Sequence, residues 1–222
     1  MNNEKILIIA PHPDDETLAL GGTIAKFIPN NEIYILVIGG HLPPLYTYNE
    51  YDQTENEAKE AFQILGVSKY KFLKIPATKI IDLPISNLNQ KIMDTINYFE
   101  PTIIFSPFPD RHVDHKLIFE SCMVCSRPLG IAKKIKLIAV YETLSETHWN
   151  APYIEPNFVP NFTIDISDFI KKKLDALSSY KSQISSSDGP RSLRAVEALA
   201  KFRGSQSGFN YGEGFHIIRM TD

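Results

Sequence analysis

Six short apolar runs rich in β-branched residues recur along the chain, at 5–10, 32–38, 70–75, 102–106, 135–141 and 215–219. They are apolar almost throughout instead of alternating with polar positions, which marks strands buried on both faces. Between the earlier runs the apolar positions change to helical spacing. Glu57, Ala58, Ala61, Phe62 and Leu65 form one such face, closed by Gly66, and Leu88, Ile92, Ile96 and Phe99 form another.

Buried strands separated by amphipathic helices predict a Rossmann-like, doubly wound α/β fold, a mostly parallel sheet with helices on both faces, as a single domain over 1–222. In the order 3-2-1-4-5 the first strand is central and the fourth lies beside it, so the segments following these two strands meet where ligands bind in such sheets.

Two stretches interrupt the rhythm. Residues 39–55, with Gly39-Gly40-His41-Leu42-Pro43-Pro44 and three tyrosines, read as a loop over the upper edge of the sheet, and so does 142–160. Loops of this length are commonly functional. The second carries the only tryptophan, Trp149, beside His148 and Tyr153, which suits either a cover over a substrate or a loop packed on its own aromatics. Residues 185–190 read as a short linker into a last helix.

Composition narrows the class. With 43% hydrophobic and 22% charged residues the chain is an ordinary globular one, and a formal charge of −3 argues against a nucleic-acid partner. No apolar stretch approaches the ~20 residues of a membrane span, and the early residues lack a secretory layout, so a cytoplasmic protein is expected. The two cysteines, Cys122 and Cys125, share a helical face with Ile118 and read as core residues.

The chemistry is concentrated behind two of the strands. Pro11-His12-Pro13-Asp14-Asp15-Glu16 follows the first, and Arg111-His112-Val113-Asp114-His115 follows the fourth. Three imidazoles and several carboxylates brought to one switch point suit a divalent metal with one open position. Of the adjacent Asp14 and Asp15, one is expected to ligate and the other to face an attacking water. One histidine is left over for an oxyanion or a leaving amine. Amide or ester hydrolysis follows.

These two motifs, with Gly21-Gly22, Leu65-Gly66-Val67 and the segment from Arg203-Gly204 to Glu213-Gly214-Phe215, resemble the PIG-L (LmbE-like) family of zinc-dependent deacetylases acting on N-acetylglucosamine-type sugars. The resemblance implies Zn²⁺ on His12, Asp15 and His115, with Asp14 as general base. It also implies His112 as the group acting on the oxyanion or amine, oriented by Asp114, whose carboxylate is expected to raise the imidazole above its ~6.5 reference. Where many members carry an arginine before the second helix this chain has Gln53-Thr54, and where some carry a tyrosine before the second motif it has Asp110.

Arg111 and Trp149 are candidate substrate contacts, Arg111 having pairing with Asp110 as its other reading. Arg191, Arg194 and Arg203 form a basic cluster that suits a nucleotide or phospholipid phosphate, with a solvated helix face as the favoured reading. The expected partner is a small N-acetylated sugar or sugar conjugate, and homo-oligomerisation is left open. The competing readings are a catalytically silent sugar- or nucleotide-binding module and a dehydrogenase. The latter is disfavoured by carboxylates where a glycine-rich phosphate cradle is needed.

Overall fold

The computed structural model describes residues 1–185 and 188–222. Its seven strands are β1 (Lys5–Ala10), β2 (Glu32–Gly40), β3 (Lys69–Pro76), β4 (Ile103–Pro107), β5 (Leu137–Tyr141), β6 (Phe162–Asp165) and β7 (Gly212–Met220). They form one sheet in the order β3-β2-β1-β4-β5-β7-β6. The first five are parallel, and β7 runs antiparallel to both β5 and β6. The 3-2-1-4-5 order expected from the sequence is therefore present and is extended by an antiparallel pair. Short β6, Phe-Thr-Ile-Asp, was not anticipated because four residues between two loops carry no readable period.

The period-two geometry of β1 sends its side chains into two separate cores. Ile6, Ile8 and Ala10 join the core under α1 (Asp15–Phe27), α2 (Tyr48–Leu65), α5 (Ile170–Leu177) and α6 (Leu193–Ser205). Leu7 and Ile9 join the core under α3 (Ile85–Phe99) and α4 (Val113–Cys125). A strand apolar at every position is thus required by helices on both faces. Cys122 and Cys125 are free thiols in the second core, as expected of small buried hydrophobes.

The expected loop 39–55 ends early. α2 begins at Tyr48 behind a capping box in which Glu50 N–H donates to Thr47 Oγ1 and the Glu50 carboxylate accepts from Thr47 N. The Thr47-x-x-Glu50 signature was readable in the sequence and outweighs the scattered tyrosines. The helix stops at Gly66, whose φ of 90° lies in the left-handed region that glycine tolerates. Residues 142–160 are a long connection holding one 3-10 turn, Thr147–Trp149. Of the linker 185–190, Ser186 and Ser187 lie outside the described residues.

Gly21-Gly22 has a packing explanation. A Cβ on Gly22 would lie 2.6 Å from Ile166 Cδ1, and one on Gly21 would lie 2.9 Å from Lys173 Cγ. The same contact buries Lys173 against Glu213 at 2.5 Å, and Glu213 also accepts from the backbone N–H groups of Gly22 and Thr23. The last strand is thereby tied to the first helix.

Candidate functional site

β1 and β4 are adjacent and parallel, so the turns that leave their carboxyl ends meet at the switch point. Pro11 to Asp14 form the first turn. Gly39, at the end of β2, lets it pass close by, since a Cβ there would lie 2.9 Å from Pro11 O and 3.1 Å from His12 Cδ2. Asp14 sits at φ 113°, a strained conformation for a residue with a side chain. Its N–H donates to Glu16 Oε2, and Glu16 Oε1 accepts from Thr17 Oγ1 and from the Tyr180 hydroxyl. A fully buried carboxylate therefore braces the turn from within.

The second turn leads into α4, with His112 as its N-cap. The three imidazoles gather, with ring centroids 4.7 Å apart for His12 and His112, 4.9 Å for His112 and His115, and 5.7 Å for His12 and His115. Ligand atoms of His12, Asp15 and His115 lie within 4.8 Å of one another, and all three residues are buried. Asp15 Oδ2 is 3.4 Å from His12 Nδ1 and 3.5 Å from His115 Nε2. Ligand atoms of a second grouping, His12, His112 and Asp114, also lie within 4.8 Å of one another.

The hydrogen bonds favour the first grouping. His115 Nδ1 is held by Asp110 Oδ2 at 3.0 Å, while His115 Nε2 is buried without a hydrogen-bond partner. His12 Nε2 is held by Asp114 Oδ2 at 2.9 Å, which leaves Nδ1 turned toward Asp15. Each histidine thus has one nitrogen fixed by a carboxylate and the other presented to a common point, the second-shell arrangement of metal-ligating histidines. An orphaned buried nitrogen, a carboxylate and a second oriented imidazole fit a divalent cation.

Charges point the same way. Burial opposes a charge on His115, but Asp15 and Asp110 override it and raise its pKa to about 10. Burial likewise opposes a charge on His12, and Asp114 and Asp15 raise it to about 9. Burial would raise Asp15, yet the two imidazoles hold it well below the usual carboxylate range. The pocket is arranged around positive charge, which protons supply when no cation does.

Two expectations about the second motif are corrected. The Asp114 carboxylate does not hold His112; it accepts from His12 and from Thr78 N at 2.7 Å, with Thr78 at φ 64°. The backbone N–H of Asp114 instead donates to His112 Nδ1 at 3.2 Å. Nor is the His112 pKa raised: burial and the charges of His12 and His115 outweigh Asp114 and lower it to about 4. His112 is a neutral imidazole whose Nε2 carries the hydrogen.

Asp14 is buried, and its Oδ2 has no hydrogen-bond partner. Burial raises its pKa to about 7 against the opposing pull of Arg191, whose Nε stands 3.6 Å from Oδ2. Arg191 also donates to Ser145 Oγ and Gln183 Oε1. The solvated basic face expected from the sequence therefore does not exist as such. Arg191 enters the site, and Arg203 makes a paired contact with buried Glu142 through Nε at 2.7 Å and Nη2 at 2.6 Å.

A cleft of about 440 Å³ opens above these groups, lined by His12, Asp14, Asp15, His112, His115 and Arg191 and continuing to Tyr46 and Gln53. Arg111 and Trp149 are not part of its lining. The Arg111 guanidinium lies 5.8 Å over the Trp149 ring, and its ion-pair partner is Glu146, 3.9 Å away, instead of Asp110. Asp110 is occupied inside the site, accepting from His115, Thr147 Oγ1 and the His112 N–H. The contacts that Asp110, Arg191, Glu16 and Tyr180 make in the site were not legible in the sequence. For Asp110, its position two residues before His112 was the available signal.

The class these features define is the doubly wound α/β domain with a carboxylate–histidine cluster at its switch point. Residues 7–125 match the family model PIG-L, described as GlcNAc-PI de-N-acetylase, and the chain belongs to that family. Diacetylchitobiose deacetylase of Thermococcus kodakarensis is 28% identical, over 97% of this chain and 83% of its own length. A Bacillus anthracis protein described as probable N-acetyl-alpha-D-glucosaminyl L-malate deacetylase 2 is 28% identical, over 82% of this chain and 83% of its own. Among solved structures, N,N'-diacetylchitobiose deacetylase from Pyrococcus horikoshii superimposes with a TM-score of 0.75 at 25% identity, covering 97% of this chain and 84% of that one.

Proposed function

We propose that this protein is a zinc-dependent hydrolase that removes the N-acetyl group from an N-acetylglucosamine-type amino sugar or its conjugate. The observation that carries the reading is the buried set His12, Asp15 and His115, with ligand atoms within 4.8 Å of one another, beside the Asp14 carboxylate, whose Oδ2 accepts no hydrogen bond, in the lining of a cleft. Family membership and deacetylase relatives support the same reaction.

His12 Nδ1, Asp15 Oδ2 and His115 Nε2 would hold the ion. A divalent cation supplies Lewis acidity there, polarising the acetamide carbonyl and acidifying a water. Asp14 Oδ2 accepts the proton of the attacking water, and Arg191 steadies the carboxylate. His112, neutral and with Nδ1 engaged by the Asp114 N–H, donates from Nε2 to the carbonyl oxygen as negative charge develops. Protonated Asp14 then returns its proton to the leaving amine, which departs as the acetate forms.

The test is acetate release from N-acetylglucosamine and N,N'-diacetylchitobiose by protein carrying one equivalent of zinc, with and without a chelator. Release that stops with the chelator and returns with zinc supports the reading. Silence of the loaded protein across a panel of N-acetylated sugars would move it to a binding module.

A further inference from the structure

Beyond the reacting centre, the cleft is walled by the segment after β2, the start of α2, the loop 142–160 and the segment after α5. The side chains there include His41, Tyr46, Glu50, Gln53, Glu146 and Gln183. Asp14 and Asp15 are balanced at the reacting centre by His12 and His115 or by the cation they would hold; outside that centre the described lining holds two carboxylates, Glu50 and Glu146, against one guanidinium, Arg191, and no lysine.

That guanidinium is already engaged at two of its three nitrogens. Its Nε faces Asp14 and Ser145 Oγ, a third contact runs to Gln183 Oε1, and the charges of Asp14, Asp15 and Glu146 raise its pKa. His41 supplies no cation either, since burial and the charges of His12 and Arg191 lower it to about 4. Phosphate and carboxylate groups are recognised by uncommitted arginines, lysines or backbone N–H nests. Carboxylates facing a charged ligand repel it and act as a filter against anions.

What the wall does offer suits a neutral polyol. Gln53 Nε2 and Ser182 Oγ donate to Glu57 and Thr54 Oγ1 donates to the Glu50 carbonyl, so these three side chains form an uncharged, hydrogen-bonded surface whose remaining lone pairs and amide hydrogens suit hydroxyl groups. Tyr46, 38% exposed with its ring centroid 4.5 Å from that of His41, provides an aromatic face for the C–H side of a pyranose ring. Gln53 and Thr54 also occupy the place where the resemblance led one to look for an arginine.

We infer that the group attached to the acetamido sugar is a neutral carbohydrate or alcohol, and that Glu50 and Glu146 select against phosphate, carboxylate and nucleotide conjugates. This rests on the proposed deacetylase reading for the identity of the sugar. The selection itself is a property of the wall, independent of turnover.

The experiment measures binding and turnover separately on zinc-loaded protein, with three ligands: N,N'-diacetylchitobiose, N-acetylglucosamine 1-phosphate and N-acetylglucosaminyl malate. Calorimetry is expected to give the neutral disaccharide an affinity at least about tenfold higher than either anion, with a gap that narrows as salt rises. Glu146→Gln is expected to strengthen binding of the 1-phosphate several-fold, and Tyr46→Ala to weaken that of the disaccharide about tenfold. Anions binding as tightly as the disaccharide, or a 1-phosphate affinity indifferent to Glu146→Gln, would overturn the inference. Preferential binding of the disaccharide without acetate release would sink the deacetylase reading and leave this one standing.

Discussion

Asp110 Oδ2 lies 3.0 Å from His115 Nδ1, and both side chains are about 1% exposed. The contact fixes which nitrogen of His115 faces Asp15 and makes that nitrogen a better donor. Asp110→Asn is therefore expected to weaken zinc binding by about 10–100-fold, the usual loss when such an outer partner is removed. Competition against a chromophoric chelator measures it, and an unchanged affinity would exclude Asp110 from the metal centre.

On the proposed reading the paired aspartates separate by role. Asp14→Asn is expected to keep its zinc while kcat falls by roughly 10²–10⁴, as for loss of a general base. Asp15→Ala and His115→Ala should lose both metal and activity. Elemental analysis of the purified variants decides this, and equal zinc loss from Asp14→Asn and Asp15→Ala would reject the assignment.

Zinc binding should release protons. His12 and His115, raised to about 9 and about 10, are cationic at neutral pH in the metal-free protein, and both must be neutral to ligate. Affinity should therefore rise with pH across the window from neutrality to about 9–10. Their raised pKa values also stabilise the metal-free fold below ~6.5, an advantage lost as pH climbs through the folded values. Calorimetry in buffers of different ionisation heats should find about two protons released per ion near pH 7. A pH-independent affinity would contradict the ligand set.

The acid limb of the rate profile is expected to belong to Asp14. Raised to about 7, it is the active carboxylate only above that value, so the rate should fall as pH drops, while a bound cation shifts the limb downward. Arg191→Gln removes a charge that lowers Asp14 and should move the limb to higher pH. A limb at the same pH in this variant would remove Arg191 from the account.

Tyr180 hydrogen-bonds to Glu16, and Glu16 accepts from the Asp14 N–H. Tyr180→Phe leaves a buried carboxylate one donor short, so the fold should lose about 1–3 kcal/mol. Urea midpoints of wild type and variant measure it, and identical midpoints would show that Glu16 does not depend on this donor.

Strand order and the meeting of the two motifs were legible because each rests on local signals: unbroken apolar runs, Gly66 as a helix stop, and histidines placed directly behind β1 and β4. The partners of those histidines were harder to read. Asp114 was expected on His112 because they are near in sequence, but its carboxylate turns to His12, 102 residues away, leaving only its N–H for His112. Arg191 and Tyr180 reach the first motif from the far end of the chain, and no spacing rule encodes such contacts. Trp149 drew attention through rarity, which says nothing of where its ring points.

The tether from Glu213 to the backbone of Gly22 and Thr23 has a consequence for biosynthesis. The first motif is made well before its partners, since Tyr180 and Glu213 follow 164 and 191 positions after the residues they hold, and Arg191 lies between them in sequence. Domains generally fold as units during synthesis. Here the turn after β1 stays unbraced until residues 164 to 191 positions further along have been made, so its geometry is a late product of folding.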